Sequence, residues 1–333
     1  MKGNMTLATD RRSIKEIYDQ RYRGDYMLAD PFTRWSHHRI ELKRVTDTLR
    51  SVPADGIRSI LDYGCGQGGW IEHLSRIFPG AKVAGIEISG EAVGRARARM
   101  PGFEFHEFDG DRAPMEDGSF DLVFSYHVLE HVLDIEATVR DMSRLVREGG
   151  YLCAILPCGN VGSFEERLTR LMKDGKERSA TGSVRFYFED PTHLRRMESA
   201  ELIGLFRKER LAVTTEYYAH QFFGAIDWIT RFGSASCAGI FDLRRADGLG
   251  AKARLLMMSP IRALALANRL SSVDRSVDRT PLKRAALTLL LPLRFVGKLL
   301  ARSTERLAAL EWDHRRRNRN GSAQFLVFRK PGS

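Results

Sequence analysis

The stretch ILDYGCGQGG, residues 60–69, constrains the fold more than any other part of this 333-residue chain. An apolar run ends at Asp62 and Tyr63 and passes into four glycines within six positions. That is the pattern of a strand turning sharply into a helix around a nucleotide, and it satisfies G-x-G-x-x-G through Gly64, Gly66 and Gly69. The neighbouring segments support the same architecture. RSILDYG, KVAGIEI, FEFHEFD, FDLVFSY and GGYLCAILP read as short strands. GWIEHLSRIF, GEAVGRARARM and LDIEATVRDMSRLV, lying between them, read as helices. Strands alternating with helices of this length predict a parallel, doubly wound α/β sheet. The near-continuous Val, Ile, Leu and Phe of the strands predicts helices on both faces.

Further on, residues 159–186 read as a polar, glycine-containing loop, SAELIGLFRKERL as a helix and AVTTEYYAHQ as a strand. After a long stretch rich in Arg, Ala and Leu, AQFLVFRK reads as a last strand. Charge divides the chain in the same way. Residues 241–320 carry 18 Lys and Arg against 7 Asp and Glu, a surplus that equals the whole net charge of +11. The basic stretch therefore reads as an insertion before the last strand, attached to a neutral remainder. The organisation predicted is an N-terminal helical lid (1–56), a nucleotide-binding core (57–222), a basic helical insertion (223–320) and a final core strand with its tail (321–333).

The start has no apolar h-region of the secretory kind. The four cysteines form no C-x-x-C pair, which suits a reducing cytoplasm and argues against a zinc ribbon. No run of apolar residues is long enough to span a bilayer.

The identity of the nucleotide turns on two carboxylates and one longer segment. Asp62 lies two residues before Gly64, where it would repel a pyrophosphate but suit a cationic amine. Glu87, ending the second strand, can take both hydroxyls of a ribose. The segment FDGDRAPMEDGSFDLVFSYHVLEHV (108–132) then supplies an acidic turn, a proline, a D-G-S-F-D strand entry and a Leu-Glu-His helix start. With REGGYLCAILP (147–157), THLRRMESAELIGLFRKERL and the early IYDQRY, these segments resemble the class I S-adenosylmethionine-dependent methyltransferases. The match is to the bacterial branch acting on quinones, natural products and glycans. It runs over residues 12–222 and the last strand, and misses the basic stretch between.

That resemblance implies a Rossmann-like, doubly wound, seven-stranded sheet with the last strand antiparallel, and S-adenosylmethionine as cofactor. It implies that Asp62, Gly64, Cys65 and Gly66 surround the amino-acid end of the cofactor. Glu87 is expected on the ribose, with Ile88 packed on adenine, Asp109 at the adenine amino group and Gly110 leaving room beside it. Ser125 and Tyr126 are expected under the methionine portion. Cys65 reads as a small loop residue and not as a nucleophile.

His127, Glu130 and His131 form H-x-x-E-H, read as the start of a helix, where such spacing shares one face. A neutral imidazole suits the removal of a hydroxyl proton near neutral pH, so His127 and His131 are the candidate bases. The family's E-x-x-E-H variant holds a divalent metal; here His127 replaces its first carboxylate, and the expectation is no metal. The alternative is a site made of His127, Glu130, His131 and His193. Acceptor contacts are expected from Tyr18, Tyr22, Arg34, Trp35, His37 and His38, from the 159–195 loop and from the insertion.

Within the insertion, PLRFVGKLLARSTERLAAL (292–310) reads as a helix with Pro292 in its first turn. Arg294, Lys298, Arg302 and Arg306 make a basic stripe, and Leu293, Val296, Leu300, Leu307 and Leu310 an apolar one. AALTLLLPL precedes the helix and HRRRNRN lies after it. Three roles fit: packing on the sheet domain, docking on an anionic membrane surface through 284–320, or binding nucleic acid, the last having no motif behind it. The expected acceptor is a small-molecule or lipid- or glycan-linked compound methylated on oxygen. The expected location is the cytoplasm, peripheral on the inner face of the membrane. The alternatives are an RNA methyltransferase and a non-catalytic binding module.

Overall fold

The structure is a computed structural model, and it describes residues 10–24, 37–179, 181–231, 240–272 and 291–332. Two helices, α1 (Arg11–Arg23) and α2 (His37–Leu49), precede the sheet. The core then runs β1 (Ser59–Tyr63), α3 (Ile71–Ile77), β2 (Lys82–Glu87), α4 (Gly90–Arg99), β3 (Glu104–Glu107), β4 (Phe120–Tyr126), α5 (Ile135–Leu145) and β5 (Val146–Pro157). After it come α6 (Phe164–Thr169), the hairpin β6 (Lys176–Arg178) and β7 (Val184–Phe186), α7 (Ser199–Lys208) and β8 (Ala212–Ala219). The insertion contributes α8 (Phe223–Arg231), α9 (Gly248–Met257), α10 (Ser259–Ser272) and α11 (Leu291–Arg315), before β9 (Ala323–Arg329) closes the fold.

The seven strands lie in the order β3-β2-β1-β4-β5-β9-β8, with β9 antiparallel to both β5 and β8. The seven-stranded, last-strand-antiparallel sheet predicted from the sequence is the sheet observed. Alternation along the strands divides the core in two. Ile60, Leu122, Phe124, Phe325 and Val327 face Val45, Leu49, Leu74 and Trp312. Leu61, Val123, Leu326 and Phe328 face Val139, Met142, Leu202 and Phe206.

Two expectations are corrected. Residues 159–186 are not a plain polar loop. Ser163 caps α6 by accepting from the Glu166 N–H, and Phe164, Leu168 and Met172 enter a third core with Ile229, Phe241 and Leu255 of the insertion. Loop composition misleads here because its few apolar residues have partners far away in sequence. H-x-x-E-H is not on a helix either. Residues 127–134 form turns, α5 begins only at Ile135 behind the N-cap Asp134, and His127 has φ of 55°. A left-handed residue cannot start a right-handed helix.

α11 is helical where predicted, and its leucine face, whose direction the sequence left open, looks outward. Gly297 and Ala308 face inward and are buried, while Val296, Leu300, Leu307 and Leu310 are exposed. The helix is fastened by polar contacts. Glu311 accepts the N–H groups of Phe222, Phe223 and Gly224, and buried Trp312 donates from Nε1 to Asp47 at 2.8 Å. The side chains of Leu293 and Arg294, and residues 285–290 of the apolar run before them, lie outside the described residues. Among the described residues, no helix is long and apolar enough to cross a membrane.

Candidate functional site

Strands β1, β2 and β4 end side by side, at the point where the chain's order across the sheet reverses. Open α/β sheets bind ligands at such a point, outside the carboxyl ends of the strands. The glycine loop folds back there. The Gly64 and Cys65 N–H groups donate to the Ile86 carbonyl at 2.8 and 2.9 Å. Gly64 has φ of 80°, and a Cβ on it would stand 2.3 Å from Val128 Cγ2, so no other residue fits without a shift. Cys65 is buried, and burial pushes its thiol well above the usual range, which leaves it as loop filling.

Glu87 spans the turn, accepting the N–H of Gly66 through Oε2 and of Ser89 through Oε1, each at 3.0 Å. Asp62 is the exception. It is buried, and its Oδ2 has no hydrogen-bond partner. Burial, and then the neighbouring Glu87, push its carboxyl up to about 8. A buried, unpartnered carboxyl beside a second carboxylate is a costly arrangement unless a cation completes it. The ammonium of S-adenosylmethionine has that chemistry, so the residues present fit the cofactor. Ile88 and Gly110 meet as expected: Ile88 Cδ1 lies 3.2 Å from where a Gly110 Cβ would stand. Asp109 is exposed and accepts the Asp111 N–H at 2.9 Å.

α1 lies over this loop. The Tyr22 hydroxyl is 2.7 Å from the position of a Cβ on Gly66. Lys15 donates to the Ile88 carbonyl at 3.0 Å and pairs with Glu107, while Arg21 pairs with Asp190 at 2.8 Å. Tyr18 sets its edge against the His131 ring at 5.7 Å. Of the other expected acceptor residues, Arg34 and Trp35 and the side chains of His37 and His38 lie outside the described residues.

At the end of β4, Ser125 is buried, and the Tyr126 hydroxyl donates to Glu41 at 3.1 Å. His127 Nδ1 is 2.7 Å from Glu130 Oε1. Burial alone would lower the His127 pKa, but the Glu130 carboxylate outweighs it and the pKa is raised. Burial likewise works against ionisation of Glu130, yet the His127 charge and hydrogen bond hold it down at about 2. His131 differs. Burial drops it to about 4, and its Nδ1 faces the Thr192 carbonyl at 3.1 Å. The two candidate bases therefore do different things: His127 is hydrogen-bonded to Glu130, whereas His131 Nε2 only approaches the same oxygen at 3.9 Å.

Glu130, His131 and His193 bring ligand atoms within 4.8 Å of one another. His193 Nδ1 is 3.1 Å from Glu189 Oε2, and Glu130 Oε2 is buried without a partner. Rings held through Nδ1 by a carboxylate or a carbonyl present Nε2, as metal-binding histidines commonly do. The three could hold a divalent cation; His127, the fourth member of the expected set, lies outside the cluster and is engaged with Glu130.

A buried polar network completes the floor, and sequence reasoning missed it. Arg44 donates to Glu41 at 3.1 Å and contacts His220 Nε2 at 2.6 Å. Burial, and then Arg44, hold His220 well below its usual pKa, so it accepts as a neutral ring. On the other side Arg196 joins Glu165 and Glu189. The one available signal was Glu41 and Arg44 three apart, on the same face of the helix as the apolar Val45.

Residues 61–154 match the family described as methyltransferase domain. The chain is 31% identical over 205 residues to the ajmaline N-methyltransferase of Rauvolfia serpentina, covering 55% of this chain and 70% of that protein. It is 30% identical over 128 residues to the trans-aconitate 2-methyltransferase of Azoarcus sp., covering 38% and 49%. It is 32% identical over 121 residues to the ubiquinone biosynthesis O-methyltransferase of Albidiferax ferrireducens, covering 34% and 47%. The chain thus spans about half the length of two of these relatives. Among solved structures, the [4+2]-cyclase SpnF aligns over the whole of both chains at a TM-score of 0.51 and 16% identity, a likeness of fold alone.

Proposed function

The chain belongs to the class I S-adenosylmethionine-dependent methyltransferases, and on that premise we propose that it methylates an oxygen of a small-molecule or lipid- or glycan-linked acceptor. The observation that carries this reading is the His127–Glu130 pair at 2.7 Å, directly beyond β4 and the buried Ser125. A neutral amine can attack a methyl group with its own lone pair, whereas a hydroxyl is helped by losing its proton. A histidine oriented by a buried carboxylate is built for the second case.

S-adenosylmethionine supplies, when bound, a methyl group on a sulfonium that is already an activated leaving group. The chain's work is then placement and proton removal. Asp62 would hold the ammonium at the amino-acid end, within the loop that Gly64, Cys65 and Gly66 form around it, Glu87 the ribose, and Ile88, Asp109 and Gly110 the adenine. Ser125 and Tyr126 would lie under the methionine portion. Tyr18 and Tyr22 on α1 keep water out. Glu130 Oε1 accepts from His127 Nδ1–H, which would leave Nε2 to take the acceptor's hydroxyl proton. His131, at about 4, is too weak a base for the task.

The test is transfer of labelled methyl from S-adenosylmethionine to a panel of phenols, carboxylic acids and amines by the wild type and His127→Gln. Turnover of hydroxyl acceptors that the variant loses supports the reading. Turnover of amines alone, untouched by the variant, overturns it. Product lost on ribonuclease treatment would point instead to an RNA acceptor, and failure to bind cofactor to a binding module. A second reading rests on the Glu130, His131 and His193 cluster: a divalent cation there would bind the acceptor oxygen and lower its pKa in place of a base.

A further inference from the structure

Among the described residues, none covers the outer face of α11. At 100° per residue, Phe295, Leu299, Leu310, Val296, Leu307 and Leu300 fall within one arc of about 140°. Phe295 is 64% exposed, Leu310 54% and Val296 48%. Scattered exposed leucines are ordinary, but six large apolar side chains on one face of one helix are not. Arg302 and Lys298 border the arc on one side, Arg306 lies just inside that edge, and all three are exposed. The opposite side is the buried one: Gly297 and Ala308 face the protein, Thr304 donates to Asp227 at 3.0 Å, and Glu311 and Trp312 lock the last turn. The helix therefore cannot roll its apolar face inward without breaking those contacts.

We propose that this face docks the protein on an anionic membrane surface, its apolar arc at the boundary between headgroups and acyl chains and Lys298, Arg302 and Arg306 on the lipid phosphates. Charge complementarity selects that occupant. Residues 241–320 hold the entire net charge of +11, and the remainder of the chain is neutral. The neighbouring helices α9 and α10 add exposed Lys252, Arg254 and Arg262. A second copy of the chain would bring the same basic borders together. An RNA would satisfy the arginines and leave six apolar side chains in water. An anionic interface satisfies both, and a basic border with an apolar face is the composition of helices that lie in it. The inference concerns binding alone and stands whether or not the acceptor is an oxygen.

The experiment is flotation of the full chain with vesicles of phosphatidylcholine, alone or with about a third phosphatidylglycerol. Two variants run beside it: Lys298→Glu/Arg302→Glu/Arg306→Glu, and Leu299→Glu/Leu310→Glu. All five positions are exposed, and unchanged circular dichroism and melting exclude misfolding. The expected result is flotation with anionic vesicles only, weakened by salt and reduced at least about tenfold in each variant. Equal flotation on neutral vesicles, or no flotation of the wild type, overturns the proposal. So does flotation abolished by competing RNA but unaffected by the leucine variant. A wild type that dimerises in light scattering and does not float, with the leucine variant monomeric, would assign the face to a second copy.

Discussion

His127 Nδ1 and Glu130 Oε1 are 2.7 Å apart across a turn in which His127 holds φ of 55°. A non-glycine residue in the left-handed region is strained by about 1–2 kcal/mol. Here the strain brings the ring back onto a carboxylate only three residues away. As Glu130 keeps the raised His127 pKa above the ordinary 6.5, the neutral, proton-accepting ring is lost as pH falls through a value above 6.5. The acid limb of kcat is expected there. Glu130→Gln should move it downward, because the main opposition to burial is removed and only the weaker Glu41 charge remains, and His127→Gln should cost about 10²–10⁴-fold in kcat at unchanged cofactor affinity. A limb that stays in place in Glu130→Gln refutes the assignment.

Asp62 should trade stability for binding. Its folded pKa of about 8 lies above the ordinary value of 3.8. An acid raised in this way contributes stability that is full below the unfolded value and is lost as pH rises toward and through 8. Asp62→Asn is therefore expected to melt higher than wild type at pH 8 without cofactor, by about 3–6 °C. The same variant should bind S-adenosylmethionine about 10–100-fold more weakly, the cost of losing a charged partner. Wild-type binding near pH 7 should release a proton, read from the dependence of calorimetric heat on buffer ionisation. A variant that binds as tightly as wild type would remove Asp62 from the site.

Gly64→Ala combines a left-handed φ of 80° with a Cβ 2.3 Å from Val128 Cγ2. Strain and overpacking together are expected to cost about 2–4 kcal/mol of stability. Adding Val128→Ala should recover the steric part and leave the backbone part. Urea unfolding of the two single variants and the double one separates them; simple additivity would show that Val128 is not what excludes the methyl group.

Chelation addresses Glu130, His131 and His193. With His127 as base, activity after treatment with a chelator and desalting is expected to be unchanged, and added magnesium, manganese or zinc should not raise it. Stimulation by one of these ions that disappears in His193→Ala would establish the metal reading in its place.

The parts legible in the sequence are those in which neighbours along the chain are also neighbours in space. Ile60 and Leu61 look to opposite faces because strand side chains alternate, and Asp62, Glu87 and Tyr126 stand at one end of the sheet because parallel strands end together. Where one pattern serves two geometries, the sequence misled. The 127–131 spacing suits a helical face, but a left-handed His127 makes it a turn. On α11 the leucine period announces a face without saying which way it looks, and buried Gly297 and Ala308 decide that. The Arg44–His220 contact, across 176 positions, has no local signature at all.

The place of β9 also sets an order of events. It is the last of the seven strands to be made and yet lies between β5 and β8, pairing with both along its own length. During synthesis β5 is finished at residue 157 and β8 at residue 219, and each then waits with an open edge while the basic insertion emerges. Only when Arg329 has been added can the sheet close. A growing chain thus spends the time needed to make residues 220–329 with strand edges that could pair elsewhere. A ribosome that stops a few codons before β9 releases two such edges in place of a finished sheet.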